Sequence, residues 1–113
     1  MSPRFTPGLV PPDPRPERAL WFVFRGRELL VHEEHGVPPM DGPESLGLTP
    51  VRWQYLGAYD EQHCFACELA AGHEPPKDMA FKDLRALFGQ LDEPIHALAG
   101  RAVQIVDWDR SHQ

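Results

Sequence analysis

The chain has 113 residues with a formal net charge of −6, two cysteines, 13 prolines and 9 glycines, and 42% of its residues are hydrophobic. One domain of this size can bury its own core. The acidic balance argues against a nucleic-acid footprint or a polybasic membrane surface, and two cysteines are too few for a disulfide framework. No apolar run approaches the roughly 18 residues that span a bilayer, and no signal peptide is recognisable, so the chain reads as cytoplasmic with reduced thiols.

Residues 1–18 hold Pro3, Pro7, Pro11, Pro12, Pro14 and Pro16. Proline fixes φ and removes a backbone donor, so this stretch is a tail or an extended arm. The extended form is the expectation, with Phe5, Leu9 and Val10 as anchors. The domain proper is expected over 19–113. Leu20–Phe24 and Leu29–Val31 are apolar runs on either side of Arg25-Gly26-Arg27-Glu28, which reads as a β-hairpin. Gly36, Gly42 and Gly47, with Pro38, Pro39, Pro43 and Pro50, make residues 35–50 a long loop.

Val51–Leu56 starts with the alternation of a half-buried strand, and His63–Leu69 reads as its partner across the turn Asp60-Glu61-Gln62. Phe81, Leu84, Leu87, Phe88 and Leu91 recur at helical spacing, so a helix capped by Asp78 is expected there. Asp92 is placed to cap a second helix, with Pro94 in its first turn. Ile95, Leu98, Ala99, Ala102, Val103 and Val106 form that helix's apolar stripe. Gly100 interrupts it and predicts close packing or a break. The expected fold class is therefore α+β, with antiparallel strands in the first two thirds and two helices at the C-terminus.

Three constellations raise the question of chemistry. Val31-His32-Glu33-Glu34-His35-Gly36-Val37 matches the last part of the Nudix box, in which paired glutamates on a helix bind divalent metal beside a pyrophosphate. The box's Arg-Glu pair, however, falls on Leu29 and Leu30, its earlier glutamate on Trp21 and its glycine on Arg15. A strand-like run leading into Pro38-Pro39 also argues against a helix, so a charged strand end and turn is the simpler reading. His32, Glu33, Glu34 and His35 could bind a metal, but no further histidine or cysteine stands near them in sequence. Cys64 and Cys67 have the spacing of half a zinc knuckle, yet an offset of three on a strand sends the side chains to opposite faces. Asp41, Glu44, Asp60 and Glu61 read as solvated loop charges. Trp21, Trp53, Tyr55 and Phe65 read as core or interface, not as a platform for stacking bases. No residue is assigned a catalytic, cofactor-binding or metal-binding role.

Leu98 to Gln113 carries Ala102, Trp108 and His112 in an alanine-rich helix. This segment resembles the helix that leads into the zinc ribbon of Nudix-superfamily NADH pyrophosphatases, and the looser likeness extends back to residue 20. The resemblance implies a degenerate Nudix-like amino-terminal domain, truncated before the zinc ribbon. The expected role is a non-catalytic scaffold that supports a homodimer and packs on its own zinc ribbon and Nudix catalytic domain. The full-length enzyme would hydrolyse NADH or NAD to nicotinamide mononucleotide and AMP, and some relatives remove NAD caps from RNA. Magnesium or manganese would serve catalysis and zinc the structure, both outside this chain. The alternatives are a stand-alone metal-dependent hydrolase or a binding module using His32, Glu33 and Glu34.

Overall fold

The computed structural model describes residues 5–7, 18–34, 36–37, 39–59, 62–70 and 72–111, with the side chains of 5–7 and 108–111 excluded. Among the described residues, seven strands form one sheet: β1 (Phe5–Pro7), β2 (Ala19–Arg25), β3 (Glu28–His32), β4 (Pro39–Met40), β5 (Pro50–Tyr59), β6 (Gln62–Leu69) and β7 (Met79–Asp83). Their order is β1-β5-β6-β2-β3-β7, with β4 on β2. A single helix, α1 (Glu93–Ser111), ends the described chain.

The first hairpin forms as its sequence dictates. Phe24 pairs with Leu29 and Arg25 with Glu28, leaving a two-residue turn. Gly26 opens it at φ 63°, which a glycine adopts without steric cost. The β5–β6 hairpin closes at Tyr59↔Gln62. Asp60 and Glu61, its expected turn residues, lie outside the described residues, as do Leu9 and Val10. The expected all-antiparallel pattern has one exception: β2 and β6 run parallel, from Leu20↔Cys64 to Arg25↔Leu69. A central strand covered on both faces needs a continuous apolar run, and Ala19 to Phe24 are all buried.

Alternate residues of β2 serve two cores. Leu20, Phe22 and Phe24 face α1 together with Leu29, Val31, Leu56, Cys64 and Ala66. Ala19, Trp21 and Val23 face the opposite layer with Leu30, Phe65, Cys67 and Leu69. That layer is covered in part by the 39–49 segment, expected to be loop, which contributes Met40, Leu46 and Leu48. The segment carries β4 and a 3-10 turn, Pro43–Leu46.

Of the two expected helices, the described residues form only the second. Met79–Asp83 is instead a strand paired antiparallel with β3, from His32↔Met79 to Glu28↔Asp83. Pairing satisfies the outer backbone groups of β3, which a helix over the same residues would leave to solvent. From Asp83 the chain makes successive i→i+3 bonds (Ala86 to Asp83, Leu87 to Leu84, Phe88 to Arg85) and then turns at Gly89, φ 84°. Too few residues remain between strand and turn to repay helix nucleation. Phe81 therefore lies with the second core layer, Leu87 in the first, and Phe88 is 78% exposed. Asp78 caps nothing; it sits in the turn before β7 at φ 66°.

In α1 the expected stripe is intact: Leu98, Ala99, Ala102, Val103 and Val106 are buried and Ile95 packs beside them. Ala99 and Ala102 are fully buried, so their small side chains let the helix approach the sheet closely. The Asp92 carbonyl accepts the His96 N–H at 2.8 Å, the first bond of the helix. Gly100 neither breaks the helix nor packs closely, because a Cβ built there meets no atom within 4 Å. The side chain of Trp108 lies outside the described residues.

Candidate functional site

The Nudix-box-like segment begins where β3 ends. His32 and Gly36 exchange backbone bonds, His32 N–H to Gly36 O at 2.7 Å and Gly36 N–H to His32 O at 3.1 Å. Glu33 and Glu34 thus occupy a tight turn, not a helix, as the flanking strand and prolines predict. The Glu34 N–H donates to His32 Nδ1 at 3.0 Å, so that nitrogen acts as an acceptor within the turn. The Glu33 N–H donates to Asp78 O at 3.0 Å, tying this turn to the one that precedes β7. Gly36, at φ 66°, is held tightly: a Cβ there would stand 2.9 Å from Leu91 Cδ2.

The two carboxylates do not converge on a reaction centre. Both residues are exposed, and His35 lies outside the described residues. Glu34 borders an open cleft of about 450 Å³ at the start of α1, shared with Leu20, Val37, Tyr59, Asp92 and Ile95. Among the described residues no group of three or more His, Cys, Asp or Glu side chains could hold a metal ion. Asp41 and Glu44 are exposed on the 39–49 segment.

Cys64 and Cys67 are both free and buried, and they belong to opposite core layers, as strand geometry requires. Burial pushes the Cys64 thiol up to about 11, while its acceptance of a backbone hydrogen bond from Tyr59 acts the other way. The thiol form is neither nucleophile nor metal ligand at neutral pH.

The aromatic residues do assemble. Trp21 stacks on Phe65 with centroids 4.6 Å apart, and Tyr55 tilts against Phe65 at 5.2 Å. Trp53 leans on Phe65 at 5.7 Å and on Trp21 at 6.3 Å. The Tyr55 hydroxyl is 2.7 Å from His63 Nδ1. The inner members are core, but Trp53 is 45% exposed and Val51 beside it 57%. On the other face of β5, Arg52 Nε lies 3.3 Å from Glu68 Oε1, and Glu68 is buried. Sequence reading missed this ion pair, because only the β5–β6 register brings Arg52 opposite Glu68.

Among the described residues, a mixed sheet with one C-terminal helix, and a glutamate pair held in a turn where the Nudix box would need a helix, describe a Nudix-like domain. The family model for the NADH pyrophosphatase-like rudimentary NUDIX domain matches residues 18–108, and the chain belongs to that family. It is similar to the NAD-capped RNA hydrolase NudC of Deinococcus radiodurans, 36% identical over 95 residues, which is 84% of this chain and 31% of that protein. The chain therefore spans about a third of the length of the curated relative it matches. No solved structure matches it.

Proposed function

We propose that the chain is a non-catalytic scaffold domain of a longer NAD(H) hydrolase. Its role is to pack on the zinc ribbon and Nudix catalytic domain of that protein and to support its homodimer. The reading is carried by one observation: Glu33 and Glu34, in the only segment resembling the Nudix box, lie in a turn closed by His32 and Gly36. Metal-assisted attack on a pyrophosphate needs carboxylates fixed on one face around a cation, and two exposed turn residues do not supply that. The kinship with NudC and the family match support the choice of parent enzyme.

On this reading the longer protein cleaves NADH or NAD to nicotinamide mononucleotide and AMP, or removes NAD caps from RNA. Its catalytic magnesium or manganese and its structural zinc are held by residues outside this chain. The acidic domain binds neither nucleic acid nor membrane, and the protein works in the cytoplasm. The test is a Glu33→Gln, Glu34→Gln double variant of the longer protein, assayed for AMP release from NADH with magnesium or manganese. Release at the wild-type rate is expected. Loss of release would assign the chemistry to Glu33 and Glu34 and overturn the scaffold role.

A further inference from the structure

We propose that the outer face of α1 is the surface through which the chain meets a second copy of itself in the longer protein, an inference that rests on the scaffold role proposed above. At about 100° per residue, the face opposite the buried stripe carries Glu93, Ala97, Gly100 and Gln104, with Arg101 beside them. Glu93, Ala97, Arg101 and Gln104 are exposed, and a Cβ built at Gly100 meets no atom within 4 Å. Every residue of this face lies within 93–104, which is described throughout. Glycine is a poor helix former, and nothing inside the domain needs one here. Its use is at the surface: without a Cβ, the backbone of a second helix can come close. Phe88 is 78% exposed. The cleft of about 370 Å³ that it shares with Glu93, His96 and Ala97 widens the surface at the start of the helix.

The charges select the occupant. Glu93 and Arg101 stand four residues to either side of Ala97, on one ridge of the helix. When two copies of α1 cross antiparallel on a two-fold axis at Ala97, Glu93 of each helix faces Arg101 of the other, so one surface makes the same ion pair twice. A parallel crossing in register would set Glu93 against Glu93 and Arg101 against Arg101, which is repulsive. The two charges also cancel on this face, whereas the chain as a whole carries −6. Exposed ion pairs add little affinity. They fix the register, while the close approach at Gly100 and the contact of Phe88 supply the packing. The helix ends at Ser111, about 21 Å beyond Ala97 along its axis. In the antiparallel pair the two continuing chains therefore leave at opposite ends, clear of the crossing.

Charge reversal in the longer protein tests this, with the dimer dissociation constant read by sedimentation. Glu93→Arg and Arg101→Glu are each expected to weaken the dimer by about tenfold, because each sets like charges together on both sides of the crossing. The double variant restores both pairs with their signs exchanged and is expected to recover wild-type association. Gly100→Leu, which keeps a good helix former in place, is expected to weaken the dimer with no loss of helix by circular dichroism. On oxidation, Ala97→Cys is expected to form a disulfide between the two copies, identified by mass spectrometry of the linked peptide. Gln104→Cys, about 10 Å further from the axis along each helix, is expected to form none. A double variant that associates no better than the single ones, or a dimer in which Ala97→Cys gives no link, would overturn the inference. A wild-type longer protein that stays monomeric would remove the homodimer from the scaffold role itself. A dimer indifferent to all of these substitutions would leave that role standing and refute only this surface.

Discussion

Local environment overturns the expectation at Gly100 and sets a pH dependence at Cys64. Gly100 sits mid-helix with open space where a side chain would be. Glycine costs a helix interior about 1 kcal/mol relative to alanine, and nothing around Gly100 requires it. Gly100→Ala should therefore stabilise the chain by about 0.5–1 kcal/mol in urea denaturation, and a loss of stability would mean that α1 packs differently. Cys64 makes a pH prediction. Its thiol rises from an ordinary 9.0 to about 11 in the folded chain, so the unfolded chain loses this proton first as pH increases. The sign follows directly: the contribution is complete below pH 9 and is lost as pH climbs towards about 11. At about 1.4 kcal/mol per pH unit, the loss is at most about 3 kcal/mol. Tyr55 is also raised, by burial and then by Cys64, and adds to the decline at higher pH. Denaturant melts of Cys64→Ala should show a flatter slope over pH 9 to 11 than the parent; identical slopes would remove Cys64 as the cause.

At the scale of elements, the hairpins and the final helix were legible because local chemistry decides them. Gly26 permits the turn between two apolar runs, and the stripe from Ile95 to Val106 has nowhere to go but against a sheet. The segment Phe81–Leu91 was misread because its apolar spacing is helical while its fate depends on β3, a strand some fifty residues earlier whose outer side needs a partner. Side-chain truncation separates the two readings. A helix face would bury Leu87 and Phe88 together, but Leu87 is 2% exposed and Phe88 78%. Leu87→Ala should cost about 2–4 kcal/mol, as a buried leucine does, whereas Phe88→Ala should change stability by less than about 0.5 kcal/mol. Comparable losses at both positions would restore the helix. The parallel register of β2 on β6 and the Arg52–Glu68 pair were likewise illegible, since both depend on which strands meet and not on any local pattern.

At the scale of the whole molecule, the feature that matters is that the segment resembling the Nudix box forms a turn, Glu33 and Glu34 included. Leu29 and Leu30 replace the box's Arg-Glu pair, and Pro38-Pro39 follow too soon for a helix. The turn closed by His32 and Gly36 is the structural counterpart of that pattern. The exposed Trp53 was not legible, because the same aromatic residues serve equally well inside or outside a sheet layer. On the proposed scaffold role, a glutamate pair held in a turn contributes no chemistry of its own. The most direct measurement is AMP release from NADH by the purified 113-residue chain, with magnesium or manganese supplied. No release above a protein-free control is predicted with either metal; metal-dependent release that disappears in Glu34→Gln would contradict the account.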